Sequence, residues 1–276
     1  MEDKQLINSP LGQRSRYVDQ YDNKLLFPMP RQPKRDAIGA GQPLLFKGYD
    51  IWTAYELSWL NLKGKPIVAT ADIIIPCEST HLIESKSFKL YLNSFNNTPF
   101  VSVDLVRDTI MHDLEHASGA PVLVNLRLAS DENAPEIEQW NGICLDALDV
   151  VFQEYIVNPN LLCVGSEKVK QVALYSHLLK SNCLVTGQPD WGSVHINYSG
   201  NHIDEAGLLQ YIVSFRNHNE FHEQCVERIF MDIMHHCKPA ELTVYARYTR
   251  RGGLDINPIR STLLIDAPKN TRLFRQ

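Results

Sequence analysis

The chain repeats itself at a spacing of 120 residues, and this internal repeat limits the folds open to it more than any other feature. When the sequence is shifted by 120 positions, two segments align without a gap. The matched pairs include Phe95 with Phe215, Val106 with Val226, Met111 with Met231, His116 with His236 and Arg127 with Arg247. Ungapped matches spread over this length indicate the duplication of one structural unit.

Hydrophobic periodicity predicts the elements of each copy. In the first copy, two stretches alternate apolar and polar residues, and two later stretches have apolar residues at helical spacing. The predicted elements are strands at 49–60, 65–75 and 120–129, a helix beginning at 83, and a helix at 101–116. In the second copy, 169–178 and 193–198 are predicted strands. Because both helices fall between antiparallel strands, the pattern predicts an α+β fold rather than a βαβ crossover fold.

Composition and the repeat together divide the chain into four predicted regions. Residues 1–45 are rich in Gln, Arg, Asn and Pro, which is typical of an extended arm that packs on the surface. The first module covers 46–130, a linker region covers 131–164, and the second module covers 165–276. Within the linker region, a helical turn is predicted at 146–149.

Net charge and cysteine usage exclude several classes of protein. The 276 residues carry a formal net charge of −5, so a general basic surface for nucleic acid is not predicted. No apolar stretch reaches the length of a membrane helix, and the first five residues lack the pattern of a signal peptide. The six cysteines are scattered without a CxxC pair, which predicts reduced thiols in a cytoplasmic protein.

A cysteine and an aspartate, Cys183 and Asp190, lie seven residues apart around a predicted turn. Gly187 and the Pro189–Asp190 step interrupt any helix, so we expect a loop that enters the next strand. A thiolate is a nucleophile, and a nearby carboxyl group can accept or donate a proton. A proton donor must be shielded from water, and Pro189 and Trp191 are expected to shield Asp190. The alternative is that Cys183 is a small buried hydrophobic residue and that Asp190 caps a turn.

The two copies differ at the polar positions that flank their helices. Glu84–Ser85 in the first copy corresponds to Asp204–Glu205, whereas His222–Glu223 in the second corresponds to Ser102–Val103. Each copy has kept a different polar pair, which suggests one composite site assembled from both halves. Helix capping is the alternative role for Glu84 and Ser85, and solvated surface is the alternative for His222 and Glu223.

Two further groups of residues suggest ligands. His218, His222 and Cys225 lie at short spacings that zinc accepts, but no second cysteine pair has finger spacing, so no metal site is predicted. The stretch Arg250–Gly253 joins two arginines to a glycine turn, which can clamp a phosphate group or can be a solvated basic turn. No GxGxxG motif follows a predicted strand, so a dinucleotide would not bind in the Rossmann manner.

Four segments resemble the signature of the NADPH-dependent 7-cyano-7-deazaguanine reductases, the QueF family of nitrile reductases. They are Glu84–Tyr91, Asn182–Gly192, Phe221–Glu223 and Arg250–Pro258. The resemblance covers almost the whole chain, in the two-module form that has the first segment in one half and the cysteine in the other. It implies a tunnelling fold (T-fold), an NADPH-dependent oxidoreductase of tRNA queuosine biosynthesis, and a homodimer. The substrate implied is a small deazapurine, with no direct contact to nucleic acid.

The resemblance also implies a role for each candidate residue. Cys183 would add to the nitrile as a thiolate and give a thioimide, and Asp190 would protonate the nitrogen. The residues implied to hold the deazaguanine are Ile83, Glu84, Ser85, His222 and Glu223. The residues implied to contact NADPH, which is used twice for each nitrile, are Ser85, Lys86, Arg251 and Gly252.

Two other functions remain open. A cysteine-dependent hydrolase of a purine-like nitrile or amidine would share Cys183 and Asp190 but would not need NADPH. A purine- or pterin-binding T-fold protein without catalysis would need Glu223 but not Cys183. The Arg250–Gly253 turn favours the reductase over the hydrolase, and Cys183 favours either enzyme over the binding protein.

Overall fold

The computed structural model describes residues 17–130 and 137–276, which form two compact units. Of these residues, the first unit contains 17–33, 51–130 and 250–255, and the second contains 34–50, 137–249 and 256–276. Residues 1–16 of the predicted arm and 131–136 of the predicted linker region lie outside the described residues.

The secondary structure mixes strands with a few helices. The strands are β1 (Pro28–Pro30), β2 (Lys47–Leu60), β3 (Pro66–Pro76), β4 (His81–Ile83), β5 (Leu123–Leu128), β6 (Ile143–Cys144), β7 (Val164–Ser176), β8 (Lys180–Asn182), β9 (Pro189–Ile203), β10 (Glu241–Tyr248) and β11 (Leu254–Ser261). The α-helices are α1 (Gln32–Ala37), α2 (Ser85–Asn93), α3 (Val103–Ser118), α4 (Glu205–Ser214) and α5 (His222–Cys237). Short 3-10 turns occupy Asn23–Leu25, Leu145–Ala147, Pro159–Leu161 and Phe215–Asn217. The predicted α+β class is confirmed.

The first unit is built on the strand order β5–β3–β2. The turn between β2 and β3 closes where the Gly64 amide donates to the Asn61 carbonyl at 2.9 Å, with Gly64 at a φ of +76°. The antiparallel pairing of β3 with β5 sets Ile73 opposite Val124, both buried. Helix α2 packs on this sheet through Phe88, whose ring meets Trp52 edge-on at 5.2 Å between centroids. Burial of such aromatic residues supplies much of the stability of a unit of this size.

The second unit has the strand order β11–β10–β9–β7–β6, and the short β8 pairs with β9. All of these pairings are antiparallel except that of β6 with β7. Helix α4 begins 120 residues after α2, and α5 begins 119 residues after α3. The order strand, strand, helix, helix, strand therefore occurs twice, as the internal repeat of the sequence predicts.

Several predicted elements differ from the observed ones. Strand β11 was not predicted, because Pro258 interrupts its apolar pattern and only the preceding glycine turn was recognised. The predicted arm is more ordered than expected in its described part, which contains β1 and α1 and buries Met29 and Arg35. Helix α3 begins at Val103 because Ser102 caps it, its hydroxyl accepting from the Leu105 amide at 3.1 Å.

Four buried charged side chains anchor α5 within the second unit. Arg35 and Arg260 both donate to Glu227, with their Nη2 atoms 2.7 and 2.9 Å from its Oε1. Arg260 also donates to Asp50 at 2.8 Å. The four side chains are at most 5% exposed, so each charge depends on its partners inside the protein. The network fixes the second turn of α5 against β11.

No helix among residues 17–130 and 137–276 is both long enough and apolar enough to cross a membrane.

Candidate active site

A tight hairpin positions Cys183 and Asp190 in the second unit. Asn182 ends β8 opposite Pro189, and the Cys183 amide donates to the Gln188 carbonyl at 2.9 Å. Gly187, at a φ of +66°, turns the chain back, and its amide donates to the Cys183 carbonyl at 3.1 Å. The predicted loop is confirmed: residues 183–188 form the turn of a hairpin, and the chain enters β9 at Pro189.

The hairpin register places the two side chains on one face. Ser181 lies opposite Asp190, and Cys183 directly follows the end of β8, two residues after Ser181; continued alternation along the chain would put Cys183 on the face of Ser181. Cys183 and Asp190 are thus diagonal neighbours across the hairpin, at a Cα separation of about 7–8 Å in ideal geometry. Both are buried, with 5% and 4% of their surface exposed. The structure therefore places the two residues in one hairpin, where both are buried.

The expectation that Pro189 and Trp191 shield Asp190 is wrong. Successive residues of a strand point to opposite faces, so Trp191 faces away from Asp190 and is 40% exposed. The guanidinium of Arg216 instead lies over the Trp191 ring, 5.7 Å from the ring centroid. Pro189 is exposed as well.

The other edge of β8 is bonded to the segment that leads into α5. The Asn182 amide donates to the His218 carbonyl at 2.8 Å, and the Glu220 amide donates to the Asn182 carbonyl at 3.2 Å. The Asn182 side chain adds a bond to the Asn219 side chain at 3.0 Å. These bonds hold the start of α5 beside the hairpin.

His222 and Glu223, in the first turn of α5, are 8% and 2% exposed. The alternative of a solvated surface pair is therefore wrong. The Nε2 atom of His222 lies 3.4 Å from Oδ2 of Asp190, close enough for proton exchange after a small movement. The Nδ1 atom of His222 is buried and has no hydrogen-bond partner among the residues that the structure describes. A bound ligand could satisfy this nitrogen.

Glu220 forms a buried ion pair with Arg228 close to the hairpin. Arg228 donates to it twice, at 3.0 and 2.8 Å, and His218 lies 2.8 Å away. Burial opposes ionisation of the carboxyl group, but the hydrogen bonds from His218 and Arg228 outweigh it and lower its pKa to about 2. The carboxylate is thus ionised over the whole physiological range.

The three residues weighed as zinc ligands, His218, His222 and Cys225, do not come together as one set. His218 and Cys225 are close together, but the third potential ligand beside them is Glu220, with one ligand atom of each within 4.8 Å of the others. Arg228 already binds both oxygens of Glu220. Burial raises the pKa of Cys225 well above its ordinary value, which keeps the thiol protonated and disfavours a metal bond. His222 lies against Asp190 instead.

Glu220→Gln is expected to remove an acid-sensitive part of the stability of the protein. A carboxyl pKa of about 2 against about 4.5 in the unfolded chain corresponds to roughly 3 kcal/mol, present above pH 4.5 and lost as the pH falls toward 2. Urea denaturation at a series of pH values should show the wild type losing this stability in that window. The variant should be less stable at pH 7, and the two curves should converge on acidification. Exposed Glu167→Gln is the control, and parallel curves for Glu220→Gln would contradict the assignment.

The residues predicted to bind substrate in the first unit lie at the start of α2. Ile83 ends β4 and is buried, while Ser85 and Lys86, the first two helical residues, are half-buried. Glu84 precedes the helix as its N-cap, and its two oxygens accept from the Lys86 and Ser87 amides at 2.7 and 2.8 Å. Glu84 thus has the capping role that was the alternative interpretation, although it lies before the first turn rather than in it. Burial raises its pKa, and the two amide bonds oppose that effect.

The predicted NADPH segment at Gly252 borders a cleft of 240 Å³ in the first unit. Lys89 and the glycines Gly252 and Gly253 line it, with φ values of +58° and +69° for the glycines. The positive φ favours glycine at both positions, and a Cβ on Gly253 would lie 2.3 Å from Cδ of Glu56, whose side chain would have to move. Lys89 and the bare backbone of the glycines favour a phosphate group, whereas the Glu56 carboxylate in the same lining opposes one. Ser85 and Lys86 lie one helical turn before Lys89 and do not line the cleft.

Sequence reasoning missed three contributors to these sites. Tyr248 stacks on His222, Arg228 clamps Glu220, and Lys89 lines the cleft. Lys89 stands one helical turn after Ser85, a spacing that could have indicated it. Tyr248 and Arg228 gave no such signal, because an aromatic strand residue and a helical arginine are common in any fold.

Comparison with known proteins agrees with the resemblance seen in the sequence. A family model described as "Nitrile reductase, 7-cyano-7-deazaguanine-reductase N-term" matches residues 17–126, and one described as "QueF-like protein" matches residues 189–264. A protein of Cupriavidus necator named NADPH-dependent 7-cyano-7-deazaguanine reductase is 57% identical over 272 residues, which are 98% of each chain. Proteins of the same name from Polaromonas naphthalenivorans and Ralstonia nicotianae are 57% and 56% identical, again over 98% of each chain. With such identity over nearly its whole length, this chain belongs to the family of NADPH-dependent 7-cyano-7-deazaguanine reductases.

Proposed function

We propose that this chain reduces the nitrile of 7-cyano-7-deazaguanine to the aminomethyl group, using two NADPH, in tRNA queuosine biosynthesis. The observation that carries the proposal is the buried group of Cys183, Asp190 and His222 on one hairpin and the adjoining helix start. A thiol beside a carboxyl group and an imidazole suits covalent addition to an electrophilic carbon with proton transfer to the neighbouring atom. The family membership identifies that carbon as the nitrile.

In the proposed mechanism, Cys183 attacks the nitrile carbon as a thiolate and forms the C–S bond of a thioimide. The electron pair of the broken C–N π bond goes to nitrogen, which takes a proton from Asp190. Two NADPH molecules, bound in turn, would each supply one of the two hydrides that reduction of a nitrile to an amine requires. After the first hydride reaches the carbon and the nitrogen takes a further proton, the C–S bond of the resulting thiohemiaminal breaks; its electron pair leaves with Cys183 as a thiolate, and the nitrogen lone pair forms the C=N bond of the imine. His222, whose Nε2 atom is 3.4 Å from Asp190, can return a proton to that carboxylate.

The proposed binding residues are those named from the family resemblance. We assign the deazaguanine to Ile83, Glu84, Ser85, His222 and Glu223, and NADPH to Ser85, Lys86, Arg251 and Gly252. Glu223 supports this assignment because a buried carboxylate can accept two hydrogen bonds from the N–H and amino groups of a purine-like ring. Since the Glu84 side chain accepts backbone bonds, its proposed contact is through the helix start that it caps. Lys89 adds a further cation beside the glycine turn.

We further propose that the α+β layers form a T-fold and that the protein is a cytoplasmic homodimer that does not itself bind nucleic acid. All six cysteines are free thiols, which fits a reducing compartment. Sedimentation equilibrium would give the oligomeric state, and a monomer at micromolar concentration would contradict the dimer.

The proposed function is tested by supplying 7-cyano-7-deazaguanine and NADPH to the purified protein. Loss of NADPH absorbance and the mass of the aminomethyl product are measured together, and two NADPH per product are expected. A hydrolase would change the nitrile without consuming NADPH, and a binding protein would change neither. Either of these results would overturn the proposal.

Glu223→Ala is expected to weaken substrate binding more than it slows the chemistry. Loss of a buried carboxylate that accepts two bonds costs roughly 2–4 kcal/mol, which is about a 30- to 1000-fold loss of affinity. Calorimetric titration with the nitrile in the absence of NADPH measures the effect, and exposed Glu167→Ala serves as the control. Unchanged affinity in Glu223→Ala would mean that another group holds the ring.

A further inference from the structure

The ring of Tyr248 lies flat on the imidazole of His222. The two ring centroids are 3.9 Å apart and the ring planes differ by 5°. On the opposite strand, Tyr248 is paired with Gly192, where a Cβ would lie 3.1 Å from two carbons of the tyrosine ring. Glycine at that position therefore leaves the space in which the ring lies. Tyr248 itself has no exposed surface.

Side chains hold the backbone of Tyr248 on both sides. Its amide donates to Oδ1 of Asn257 at 3.1 Å, and its carbonyl accepts from Nε2 of Gln276 at 2.9 Å. Gln276 also donates to Asn257 at 3.1 Å, which closes the set of bonds. Burial raises the pKa of Tyr248 well above its ordinary value. The side chain is thus neutral, the backbone of Tyr248 is held by hydrogen bonds, and one face of its ring is held by the stack on His222.

We propose that Tyr248 is a positioning residue that fixes the plane of the His222 ring and thereby aims its Nε2 atom at Asp190. The inference rests on the proposed function, since it concerns the proton that His222 returns to Asp190. An imidazole has a free torsion about its Cβ–Cγ bond, and rotation would carry Nε2 away from a carboxylate that is already 3.4 Å distant. The stacked ring prevents that rotation.

The test compares Tyr248→Phe, which keeps the ring, with Tyr248→Leu, which removes it. Tyr248→Leu is expected to lower kcat by about 10- to 100-fold and to raise KM for the nitrile by a smaller factor, since His222 is also assigned to substrate binding. The solvent deuterium isotope effect on kcat should increase, because proton return becomes slower. Tyr248→Phe should stay within about threefold of the wild type in all of these measurements.

A second measurement does not depend on activity. In ligand-free protein labelled with ¹³C-histidine, the ring signals of His222 should be shifted upfield by the stacked ring in the wild type and in Tyr248→Phe. They should lose that shift in Tyr248→Leu. A wild type that shows the shift but does not reduce the nitrile would contradict the proposed function and leave the stack established.

Three results would overturn the inference. One is a kcat for Tyr248→Leu close to that of the wild type with an unchanged isotope effect. Another is equal loss in Tyr248→Phe and Tyr248→Leu with an unchanged isotope effect, which would indicate a structural role of the hydroxyl group. If Tyr248→Leu does not fold, Gln276→Ala takes its place, because it removes the bond to the Tyr248 carbonyl. It should increase the solvent isotope effect in the same direction but to a smaller extent. The third contradicting result is an unchanged isotope effect in Gln276→Ala.

Discussion

Cys183→Ala is expected to abolish nitrile reduction while the affinity for the nitrile stays within about threefold of the wild type. The thiol forms the covalent bond, but it is a small part of the surface that a deazapurine would contact. Intact-mass spectrometry of the wild type mixed with the nitrile, without NADPH, should show the addition of one substrate mass. The variant should show none, although calorimetry still detects binding.

The other cysteines provide the controls for this experiment. Cys163 is exposed, so Cys163→Ala should keep both the adduct and the activity. Cys225 is fully buried and its raised pKa keeps it a thiol, so it should not react. An adduct that peptide mapping places on Cys225 or on Cys77 would contradict the role of Cys183.

Much of the local structure near the site was predictable because its signals are local. Alternating apolar residues with a glycine turn predicted the β2–β3 hairpin, and Gly187 with Pro189 predicted the turn between Cys183 and Asp190. These patterns reflect backbone conformations that few residue types can adopt. The internal repeat likewise predicted the order of elements in the second unit, since a duplicated sequence tends to keep its packing.

The surroundings of the hairpin were not predictable, because they depend on contacts between distant segments. The burial of His222 and Glu223 follows from the bonds that join β8 to residues 218–220, and no periodicity encodes those bonds. The wrong expectation for Trp191 has the same origin, since Asp190 and Trp191 were not recognised as neighbours in a strand that begins at Pro189. Without that boundary, the alternation of faces could not be applied.

Ion pairs in and next to the first two turns of helix α5 hold the helix in place beside the hairpin. Its first turn bears His222, its second turn bears Glu227 in the network with Arg35 and Arg260, and Arg228 reaches back to Glu220 ahead of the helix. The charged groups are buried or nearly so, and each has a partner in a fixed geometry. Ion pairs of this kind fix the position of the helix, which suits a histidine that must remain near a carboxylate.

Asp190→Asn is expected to remove nearly all NADPH oxidation while the protein stays folded. Asparagine keeps the shape of the side chain, and its amide can still face Nε2 of His222, which lies 3.4 Å from Oδ2 of Asp190 in the wild type. The amide is too weak an acid to transfer a proton near neutral pH. General acid catalysis contributes about 100- to 10,000-fold, and the loss in steady-state rate should lie in this range. Exposed Asp149→Asn is the control for the substitution itself.

The same variant distinguishes the role of Asp190 in thioimide formation from its role in the reduction by NADPH. Addition of the Cys183 thiolate leaves charge on the nitrile nitrogen, so the thioimide should also form more slowly when no acid is in place. Rapid mixing with the nitrile, followed by the thioimide absorbance, measures this step apart from NADPH consumption. If thioimide formation is slow in Asp190→Asn and normal in Asp149→Asn, the carboxyl group protonates the nitrogen during addition. If both thioimide formation and NADPH oxidation run at the wild-type rate, Asp190 only stabilises the hairpin, and the pairing of Cys183 with Asp190 carries no chemistry.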